Sequence, residues 1–491
     1  MSHCFGVVKV SGLVCSWYYE PIMKQYFKGK KVLLVGLGQL GGGIRTAQFL
    51  AEQGAKLTIT DMKPAIDLKK TINQLKDYDI SFVLGEHREE DFLNNEVIVF
   101  NQAVPFASKW VQFAQKHHKQ VESDLTLFLE LLEQSPSRDY IGVTGTRGKT
   151  TVTTWIHHLL RPAVVGGNMP TAGLLKIIKQ ILAKKKAAPV ALELSSFQLE
   201  YMRKGLRPAH VAVVTNLYND HLNRYKTLDV YADMKVNLIR YQTKDDFLIL
   251  NFDDPHKAIF LKEKPKAKIL YVSLQALPLD VDGIFFKNDT IIYQSDSERH
   301  VVATVAGMIA HQQYNLLAAL LASYLAGKDW VSLEKRIVTL PAIPFRQETV
   351  FVNKRITAIN DSAATSPEGT VAAIERFKKD INATVFICGG TDKVLDFKGL
   401  AKVIKKTLPE KNLYLLNGSA TQKLVADLSK LTYFKGRVRL FESLDDIVRA
   451  VAERKNIKTI VLSPGAASFE KFKNEFDRGR KFNTLVKEAF K

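Results

Sequence analysis

Cysteine is scarce in this chain, which contains only Cys4, Cys15 and Cys388. The three residues are widely spaced and form no CxxC pair. Their odd number and spacing predict neither a disulfide framework nor a cysteine-based zinc site. The pattern fits a reducing compartment, so we expect a cytoplasmic protein.

Long apolar runs are also lacking. No uninterrupted run approaches the roughly 18 residues that a membrane-spanning helix needs, so membrane insertion is not expected. The mildly apolar residues 5–19 contain Lys9, and they lack the basic start and the cleavage site of a signal peptide. Met23, a few residues before the first strand, is a candidate natural start, with residues 1–22 an appended or misassigned leader.

Acidic residues are under-represented, with 50 Asp and Glu against 70 Lys and Arg in 491 residues, which leaves a formal charge of +20. The basic residues are spread along the chain, and we find no RNA-binding or DNA-binding pattern. Nucleic acid is therefore not an expected partner. Small anionic substrates and an ordinary basic surface both remain compatible with the charge. The length predicts about three domains.

Glycine is missing at position 143, where a full GxxxxGK[ST] loop would require it, because Val143 stands there. The shorter form GTRGKTT at residues 145–151 follows an apolar strand and precedes a helical run at residues 153–160. In such a loop, backbone N–H groups and a lysine bind phosphates, and a threonine hydroxyl can bind Mg²⁺. The context predicts an ATP site, and it disfavours the alternative of a surface turn.

The segment at residues 31–61 predicts a strand, a glycine-rich turn, a helix at residues 44–53 and a second strand that ends at Asp61. The turn satisfies GxGxxG through Gly36, Gly38 and Gly41. This βαβ unit is typical of a dinucleotide site, but the same geometry holds the pyrophosphate of a UDP-sugar. Both alternatives stay open on this evidence.

Two further α/β blocks follow along the chain. The second has predicted strands at residues 190–194, 211–215 and 247–251, and the third has them at residues 349–352, 385–388, 413–416 and 459–462. We therefore predict three α/β domains in series. Ligands of open α/β sheets bind beyond the carboxyl ends of the strands.

Two polar residues stand where strands of the second block end. Glu193 ends one apolar strand, and His221 follows the next. Each alone has an ordinary structural explanation, as a helix cap, an ion pair or a core histidine. Together, beside a phosphate loop, a carboxylate and an imidazole are suited to surround Mg²⁺ and its nucleotide.

A set of motifs occurs in one order along the chain: GTRGKTT (145–151), ELSSFQLE (193–200), TNLYNDHLNRY (215–225), the segment around Lys235, His311 with Asn315, PFRQE (344–348), NDS (360–362), GGTDK (389–393) and LSPGAASF (462–469). On these motifs the chain resembles the Mur ligases from about residue 30 to its C-terminus. Within that family it resembles the members that add glutamate to UDP-N-acetylmuramoyl-L-alanine.

The resemblance implies a fold and a reaction. We expect a Rossmann-like UDP-substrate domain that with the leader spans residues 1–122, a central P-loop-type ATPase domain at 123–342 and a Rossmann-like amino-acid domain at 343–491. The implied reaction joins glutamate, with the D enantiomer expected, to UDP-N-acetylmuramoyl-L-alanine through an acyl phosphate, at the expense of ATP. This step belongs to peptidoglycan synthesis, and hence to cell-wall biogenesis, cell shape and division. We expect a monomer.

The resemblance also implies residue roles. The residues expected to bind ATP are Gly145, Thr146, Gly148, Lys149, Thr150, Thr151, Asn315, Arg346 and Asp361. Two Mg²⁺ ions are expected to bind Thr150, Glu193, His221 and Lys235, the last as a carbamate, and Lys149, His221 and Lys235 are expected to serve catalysis. The residues expected to hold the UDP-sugar substrate or glutamate are Gly38, Gln39, Asp61, Asn168, Ser195, Gln198, Lys393 and Ser468.

Some positions depart from the family pattern. Arg147 stands where asparagine is usual, Gln312 where a His-Asn pair is usual, and Ala363 where a lysine usually follows Asn-Asp-Ser. Glu475 and Phe476 invert the usual order. Because Ala363 and Glu475 fall around the expected glutamate pocket, an L-glutamate-adding relative is one alternative.

Three different activities also match parts of the pattern. A folylpolyglutamate synthase-like ligase would share the fold and also join glutamate to an acyl phosphate. An NAD-dependent oxidoreductase would explain the GxGxxG turn and Asp61, but not the second loop or the third block. A non-catalytic nucleotide-binding protein is supported only by the absence of a lysine at Ala363.

Overall fold

The computed structural model describes residues 26–39, 41–169, 171–184, 186–436 and 438–491. The predicted leader, Met23, Cys4 and Cys15 lie outside the described residues, as does Leu40 of the glycine-rich turn.

Three parallel-rich sheets follow one another along the chain, and this confirms the predicted three-part α/β fold. The first sheet has the order β3-β2-β1-β4-β5 and is parallel throughout. Its strands are β1 (Lys31–Val35), β2 (Lys56–Asp61), β3 (Ile80–Leu84), β4 (Val97–Phe100) and β5 (Gln120–Ser123). Its helices are α1 (Gly42–Glu52), α2 (Ala65–Ile72), α3 (Glu89–Asn94) and α4 (Lys109–Lys116), with a 3₁₀ turn at Asn73–Leu75.

The second sheet has nine strands in the order β14-β13-β12-β11-β10-β9-β6-β8-β7, and β13 pairs antiparallel with both β12 and β14. Its strands are β6 (Tyr140–Thr144), β7 (Val164–Gly167), β8 (Val190–Glu193), β9 (Val211–Val214), β10 (Phe247–Asn251), β11 (Lys268–Ser273), β12 (Gly283–Lys287), β13 (Thr290–Ser295) and β14 (Glu298–Thr304). Its helices, with the connecting α5, are α5 (Asp124–Leu132), α6 (Lys149–Leu159), α7 (Leu174–Leu182), α8 (Ser196–Leu199), α9 (Leu222–Tyr225), α10 (Leu228–Val236), α11 (Lys257–Lys262), α12 (Ala310–Leu325) and α13 (Trp330–Ile337).

The third sheet has the order β15-β16-β20-β17-β18-β19, in which β15 pairs antiparallel with β16 and the remaining neighbours pair parallel. Its strands are β15 (Glu348–Val352), β16 (Thr357–Asn360), β17 (Thr384–Cys388), β18 (Leu413–Leu416), β19 (Leu440–Phe441) and β20 (Thr459–Leu462). Its helices are α14 (Pro367–Arg376), α15 (Lys398–Thr407), α16 (Ser419–Lys430), α17 (Leu444–Ala452) and α18 (Glu475–Ala489), with 3₁₀ turns at Lys378–Ala383 and Glu410–Asn412.

The topology of the second sheet places the predicted site. Strands β9, β6 and β8 are neighbours and run parallel. Their carboxyl ends lead into the TNLYNDHLNRY segment, the GTRGKTT loop and the ELSSFQLE segment. These three motifs therefore emerge side by side at one edge of the sheet, as expected for an open α/β sheet.

Apolar packing joins the first two parts of the chain and leaves the third separate. One buried cluster contains Leu34 and Leu50 of the first sheet's layer together with Ile178 and Leu192 of the second. The two buried clusters around the third sheet draw their members from residues 350–490 among those that the structure describes. We infer that the third part meets the others mainly through polar contacts. Within the described part of the chain, no helix is both long enough and apolar enough to cross a bilayer.

Candidate active site

The GTRGKTT loop depends on two glycines that lie close to other segments. Gly145 has φ 132°, and a Cβ placed on it would lie 2.0 Å from Thr215 Oγ1. Gly148 has φ 84° and precedes α6, and a Cβ on it would lie 2.4 Å from Asn315 Oδ1. Larger residues would therefore push the loop away from both neighbours. The predicted nucleotide residue Asn315 does lie beside the loop.

Lys149, the first residue of α6, turns back over this loop. Its Nζ donates hydrogen bonds to the carbonyl oxygens of Gly145 at 3.0 Å and Thr146 at 3.1 Å. Burial lowers the pKa of this amine to about 8, although the nearby charge of Glu193 opposes the shift. A half-buried cation at the start of a helix, within a glycine-containing loop, is suited to bind an anion such as phosphate. Of the remaining loop residues, Thr151 is buried and Thr150 is half-buried.

Lys235 reaches the same loop from α10. Its side chain is 1% exposed, and its Nζ donates to the Gly145 carbonyl oxygen at 2.9 Å. The amine lies 4.3 Å from the centre of the Tyr231 ring. Burial, and then the charge of Lys149, lower the pKa of Lys235 well below its ordinary value. The structure thus places two lysine amines on one carbonyl oxygen.

Glu193 ends β8 with a buried carboxylate that is 4% exposed. Its Oε1 accepts a long hydrogen bond from Asn168 Nδ2 at 3.4 Å, and no described group donates to its Oε2. An unpaired buried carboxylate oxygen is costly unless a cation or a donor satisfies it. The residue therefore fits a magnesium ligand. No three His, Cys, Asp or Glu side chains among the described residues form a metal-site group, so hydroxyl, phosphate or water oxygens would have to complete the coordination.

The pair Asp220 and His221 lies between β9 and α9. The Oδ1 of Asp220 accepts from the backbone N–H of His221 at 2.9 Å, and its Oδ2 accepts from Arg147 Nη1 at 3.0 Å. Burial alone would raise the pKa of Asp220, but the charges of Arg147, His221 and Lys393 overcome it and hold the pKa below its usual range. Burial lowers the pKa of His221 to about 4. The imidazole is therefore neutral at physiological pH and can act as a ligand or acceptor.

The third part of the chain contributes cations to the same place. Arg346 Nη2 donates to Thr150 Oγ1 at 3.4 Å. The charge of Lys393 acts on Asp220 and His221, and burial lowers the pKa of Lys393 itself. Asp361 accepts from the backbone N–H of Gln347 and from Ser463 Oγ, and burial raises its pKa to about 7.

The SPGAASF segment is held by a residue to which the sequence motifs assign no role. Arg478 is fully buried, and its guanidinium donates to Ser362 Oγ and to the carbonyl oxygens of Ser362, Ala466 and Ala467. The neighbouring Ser468 is 2% exposed, and its Oγ has no partner among the described residues. A buried hydroxyl without a partner can hydrogen bond to a substrate.

The residues predicted to hold the UDP part lie in the first sheet's turn. The Asp61 carboxylate accepts from the backbone N–H groups of Gly38 and Lys63, both at 2.9 Å. Gln39 Nε2 donates to the carbonyl oxygen of Asp67 at 2.7 Å. Asp61 thus fixes the shape of the turn, and both of its oxygens already accept backbone hydrogen bonds.

Ser195 and Gln198 form a capping box at the start of α8. Ser195 Oγ also donates to Gln102 Oε1 at 3.2 Å, and Gln198 Nε2 donates to Asp124 Oδ2 at 3.3 Å. These side chains join the first sheet's loops to the second sheet. Both side chains therefore lie where the first sheet's loops meet the carboxyl end of β8.

Comparisons with known proteins agree with this arrangement. The model described as the Mur ligase middle domain matches residues 143–323, and the model described as the Mur ligase MurD-like, N-terminal domain matches residues 30–123. A UDP-N-acetylmuramoylalanine--D-glutamate ligase from Roseiflexus sp. is 35% identical over 93% of this chain and 98% of its own length. A protein with the same name from Borreliella burgdorferi is 34% identical over 94% of this chain and 98% of its own length.

Solved structures show the same fold at lower identity. The UDP-N-acetylmuramate-alanine ligase MurC from Thermotoga maritima is 16% identical, with a TM-score of 0.57 over 94% of this chain and 100% of that chain. The MurF ligase from the same organism, solved in complex with ADP, is 17% identical, with a TM-score of 0.56 over 95% of this chain and 97% of that chain. Fold, phosphate loop and sequence identity lead to one conclusion: the chain belongs to the Mur ligase family of ATP-dependent, amide-bond-forming ligases.

Proposed function

We propose that this enzyme joins the amino group of D-glutamate to the alanyl carboxyl group of UDP-N-acetylmuramoyl-L-alanine and converts ATP to ADP and phosphate. The product is a peptidoglycan precursor. The observation that carries the proposal is that the third part of the chain brings cations to the GTRGKTT loop and its neighbours. Arg346 donates to Thr150 of the loop, and the charge of Lys393 acts on Asp220 and His221. The names of the relatives at 34–35% identity support the substrates.

ATP binding is assigned to the loop and its neighbours. The residues proposed to hold the phosphates are Gly145, Thr146, Gly148, Lys149, Thr150 and Thr151. Asn315 lies against Gly148 and is proposed to contact the base, whereas Arg346 and Asp361 approach from the third sheet. Lys149 would stabilise negative charge that moves onto the phosphate oxygens during transfer.

Magnesium is assigned to Thr150, Glu193 and His221. The unpaired Oε2 of Glu193 and the neutral imidazole of His221 are oxygen and nitrogen donors that fit such an ion. When bound, Mg²⁺ would neutralise phosphate charge and orient the transferred group.

Lys235 is proposed to carry a carbamate. A neutral amine adds to CO₂ and releases one proton, which leaves an N-linked carboxylate in place of the cation. The burial of this amine and its lowered pKa favour the neutral form that the addition requires. A carboxylate at this position would relieve the repulsion with Lys149 and add an oxygen ligand for a second Mg²⁺.

The proposed reaction has two steps. The alanyl carboxylate attacks the γ-phosphorus of ATP, ADP leaves, and an acyl phosphate forms. The glutamate amine then attacks the acyl carbon, and phosphate leaves from the tetrahedral intermediate. The chain acts by positioning: Gly38, Gln39, Asp61, Asn168, Ser195 and Gln198 are proposed to orient the UDP-sugar substrate, and Lys393 and Ser468 to bind the glutamate carboxylates.

The test uses purified protein with ATP, Mg²⁺ and UDP-N-acetylmuramoyl-L-alanine, and it supplies each glutamate enantiomer separately. We expect phosphate release and a product whose mass equals both substrates minus water, with D-glutamate only. A product with L-glutamate alone would assign the enzyme to the other stereochemistry. Addition of L-glutamate to a folate, without any UDP-linked product, would favour the folylpolyglutamate synthase-like alternative. Reactions without the amino acid measure background ATP hydrolysis.

The cellular location and the oligomeric state of the enzyme need separate measurements. We propose that the enzyme is cytoplasmic, which cell fractionation tests. We also propose that it is a monomer, which sedimentation equilibrium tests at micromolar concentration.

A further inference from the structure

The third sheet's layer meets the rest of the molecule through a small number of polar contacts near the loop. Its apolar clusters take no member from before Val350 among the described residues, whereas the first two sheets share one buried cluster. An interface that lacks a common apolar core permits relative motion between two bodies. One is the third sheet with its helices, called the third body below, and the other is the rest of the molecule. The polar contacts across the interface therefore decide how long the two bodies stay together.

Arg147 makes one of these contacts from inside the phosphate loop. Its backbone is fixed, because its N–H donates to Asn216 Oδ1 at 2.8 Å and its carbonyl oxygen accepts from Thr215 Oγ1 at 2.6 Å. Its side chain reaches outward. Nη1 donates to Asp220 Oδ2 at 3.0 Å, and Nε donates to Ser366 Oγ at 3.1 Å.

Ser366 is an unusual partner for this arginine. It is the N-cap residue of α14 and is fully buried, yet its hydroxyl makes no capping hydrogen bond to that helix. A serine at this position ordinarily accepts from a backbone N–H of the first turn. Here the hydroxyl oxygen accepts from Arg147 instead, so its orientation serves the contact between the bodies.

We propose that Arg147 is a positioning residue that latches the third body onto the phosphate loop through Ser366, with Asp220 holding the guanidinium in place. The kinetic test of this latch rests on the proposed function. Arg147 itself touches no reacting atom in this scheme. Its effect is to keep Lys393 and Arg346 at the site from the formation of the acyl phosphate until the glutamate amine attacks it.

The latch has a specific kinetic signature. A hydrogen bond to a charged group contributes enough for about a tenfold to hundredfold effect when it is removed. Because the backbone contacts of Arg147 do not depend on its side chain, the contacts that the loop itself makes with ATP should persist in Arg147→Gln. The KM for ATP should therefore rise less than the KM for glutamate, since of the proposed ATP residues only Arg346 and Asp361 belong to the third body. The loss should fall on kcat/KM for glutamate, since the glutamate residues belong to the body that is released.

The experiment is a double-mutant cycle of Arg147→Gln and Ser366→Ala in the full-length enzyme. We expect each single variant to lower kcat/KM for glutamate, and the double variant to match Arg147→Gln within about twofold, because the two changes remove the same contact. Arg449→Gln is the matched control, since Arg449 is an exposed arginine of α17 that pairs with Asp445 on its own helix. Multiplicative losses in the double variant, or an unchanged Ser366→Ala, would overturn the latch.

A second measurement does not depend on turnover. Small-angle X-ray scattering of the full-length protein with Mg²⁺ and a non-hydrolysable ATP analogue should show a larger radius of gyration for Arg147→Gln and Ser366→Ala than for the wild type and Arg449→Gln. Identical scattering profiles for all four would refute the latch. If the wild-type enzyme forms no product from the proposed substrates, the proposed function fails, while the scattering comparison still decides the latch.

Discussion

Lys149 gives the sharpest test of the site. The change Lys149→Ala removes the amine that donates to Gly145 and Thr146 in the phosphate loop. A unit charge about 4 Å from a phosphate oxygen, in the effective dielectric of a protein surface, contributes about 4 kcal/mol. That energy corresponds to about a thousandfold in rate. We therefore expect turnover to fall below detection in a coupled phosphate-release assay.

The same lysine predicts a pH dependence. Burial lowers its pKa to about 8, so the free enzyme loses this charge as the pH rises through about 8. The value of kcat/KM for ATP should therefore fall above about pH 8 with the loss of one proton, since kcat/KM reports the free enzyme. Bound phosphates favour the charged amine, so kcat should keep its value to higher pH. Lys149→Arg should retain partial activity and lose the alkaline limb, because arginine stays protonated.

The fold should survive the change. Burial of the amine opposes its charged form, and this offsets the two hydrogen bonds that Lys149→Ala removes, so we expect the melting temperature to stay within about 3 °C of the wild type. Full ATP-dependent ligation by a folded Lys149→Ala protein would refute the assignment of this loop. Loss of activity together with unfolding would make Lys149→Arg the deciding variant, through its pH profile.

Three further predictions concern other residues of the site and its support. Lys235→Ala should abolish ligation, and millimolar formate or acetate should restore part of it by supplying the missing carboxylate; activity without any loss would contradict the proposed role. Lys393→Ala should raise the KM for glutamate by about tenfold to hundredfold and change the KM for ATP by less than about twofold. A selective rise in the KM for the UDP substrate would show that this residue binds the UDP substrate instead of glutamate. Arg478→Met should lower the free energy of unfolding by at least about 3 kcal/mol in urea titrations, because four buried oxygen atoms lose their donor. The control Arg480→Met, on the exposed side of the same helix, should change this free energy by less than about 0.5 kcal/mol.

Much of the strand framework follows from local sequence. The strands Phe247–Asn251, Leu413–Leu416 and Thr459–Leu462 have the predicted bounds, because each is a short apolar run in a parallel part of its sheet. The antiparallel hairpin β13–β14 was not predicted. Its second strand begins with polar residues, and its turn has positive φ at Asp296 and Ser297, so the hairpin lacks the continuous apolar run that marked the other strands.

The site was predictable where a motif is continuous in sequence. The loop at residues 145–151 and the ends of β8 and β9 meet as expected, because parallel neighbours bring their carboxyl ends to one edge. Contacts between distant segments were not predictable. The hydrogen bond from Arg147 to Ser366 joins residues 219 positions apart, and that of Arg478 to Ser362 joins residues 116 apart. Nothing in either local pattern specifies the partner. The roles of the individual site residues stay predictions.

The path of the chain between the second and third sheets limits how these ligases can be recombined. The second sheet's body holds the linker up to Ile343, which packs in its core, and the third body holds it from Phe345, whose carbonyl oxygen accepts from the Ala363 N–H. Arg346 therefore travels with the third body, although its side chain meets Thr150 in the other. A chimaera that exchanges amino-acid domains has its natural junction at Pro344. A junction placed after the start of β15 would exclude the arginine of the protein that donates the third body. The new domain would then be joined to the recipient's Arg346 instead of its own arginine.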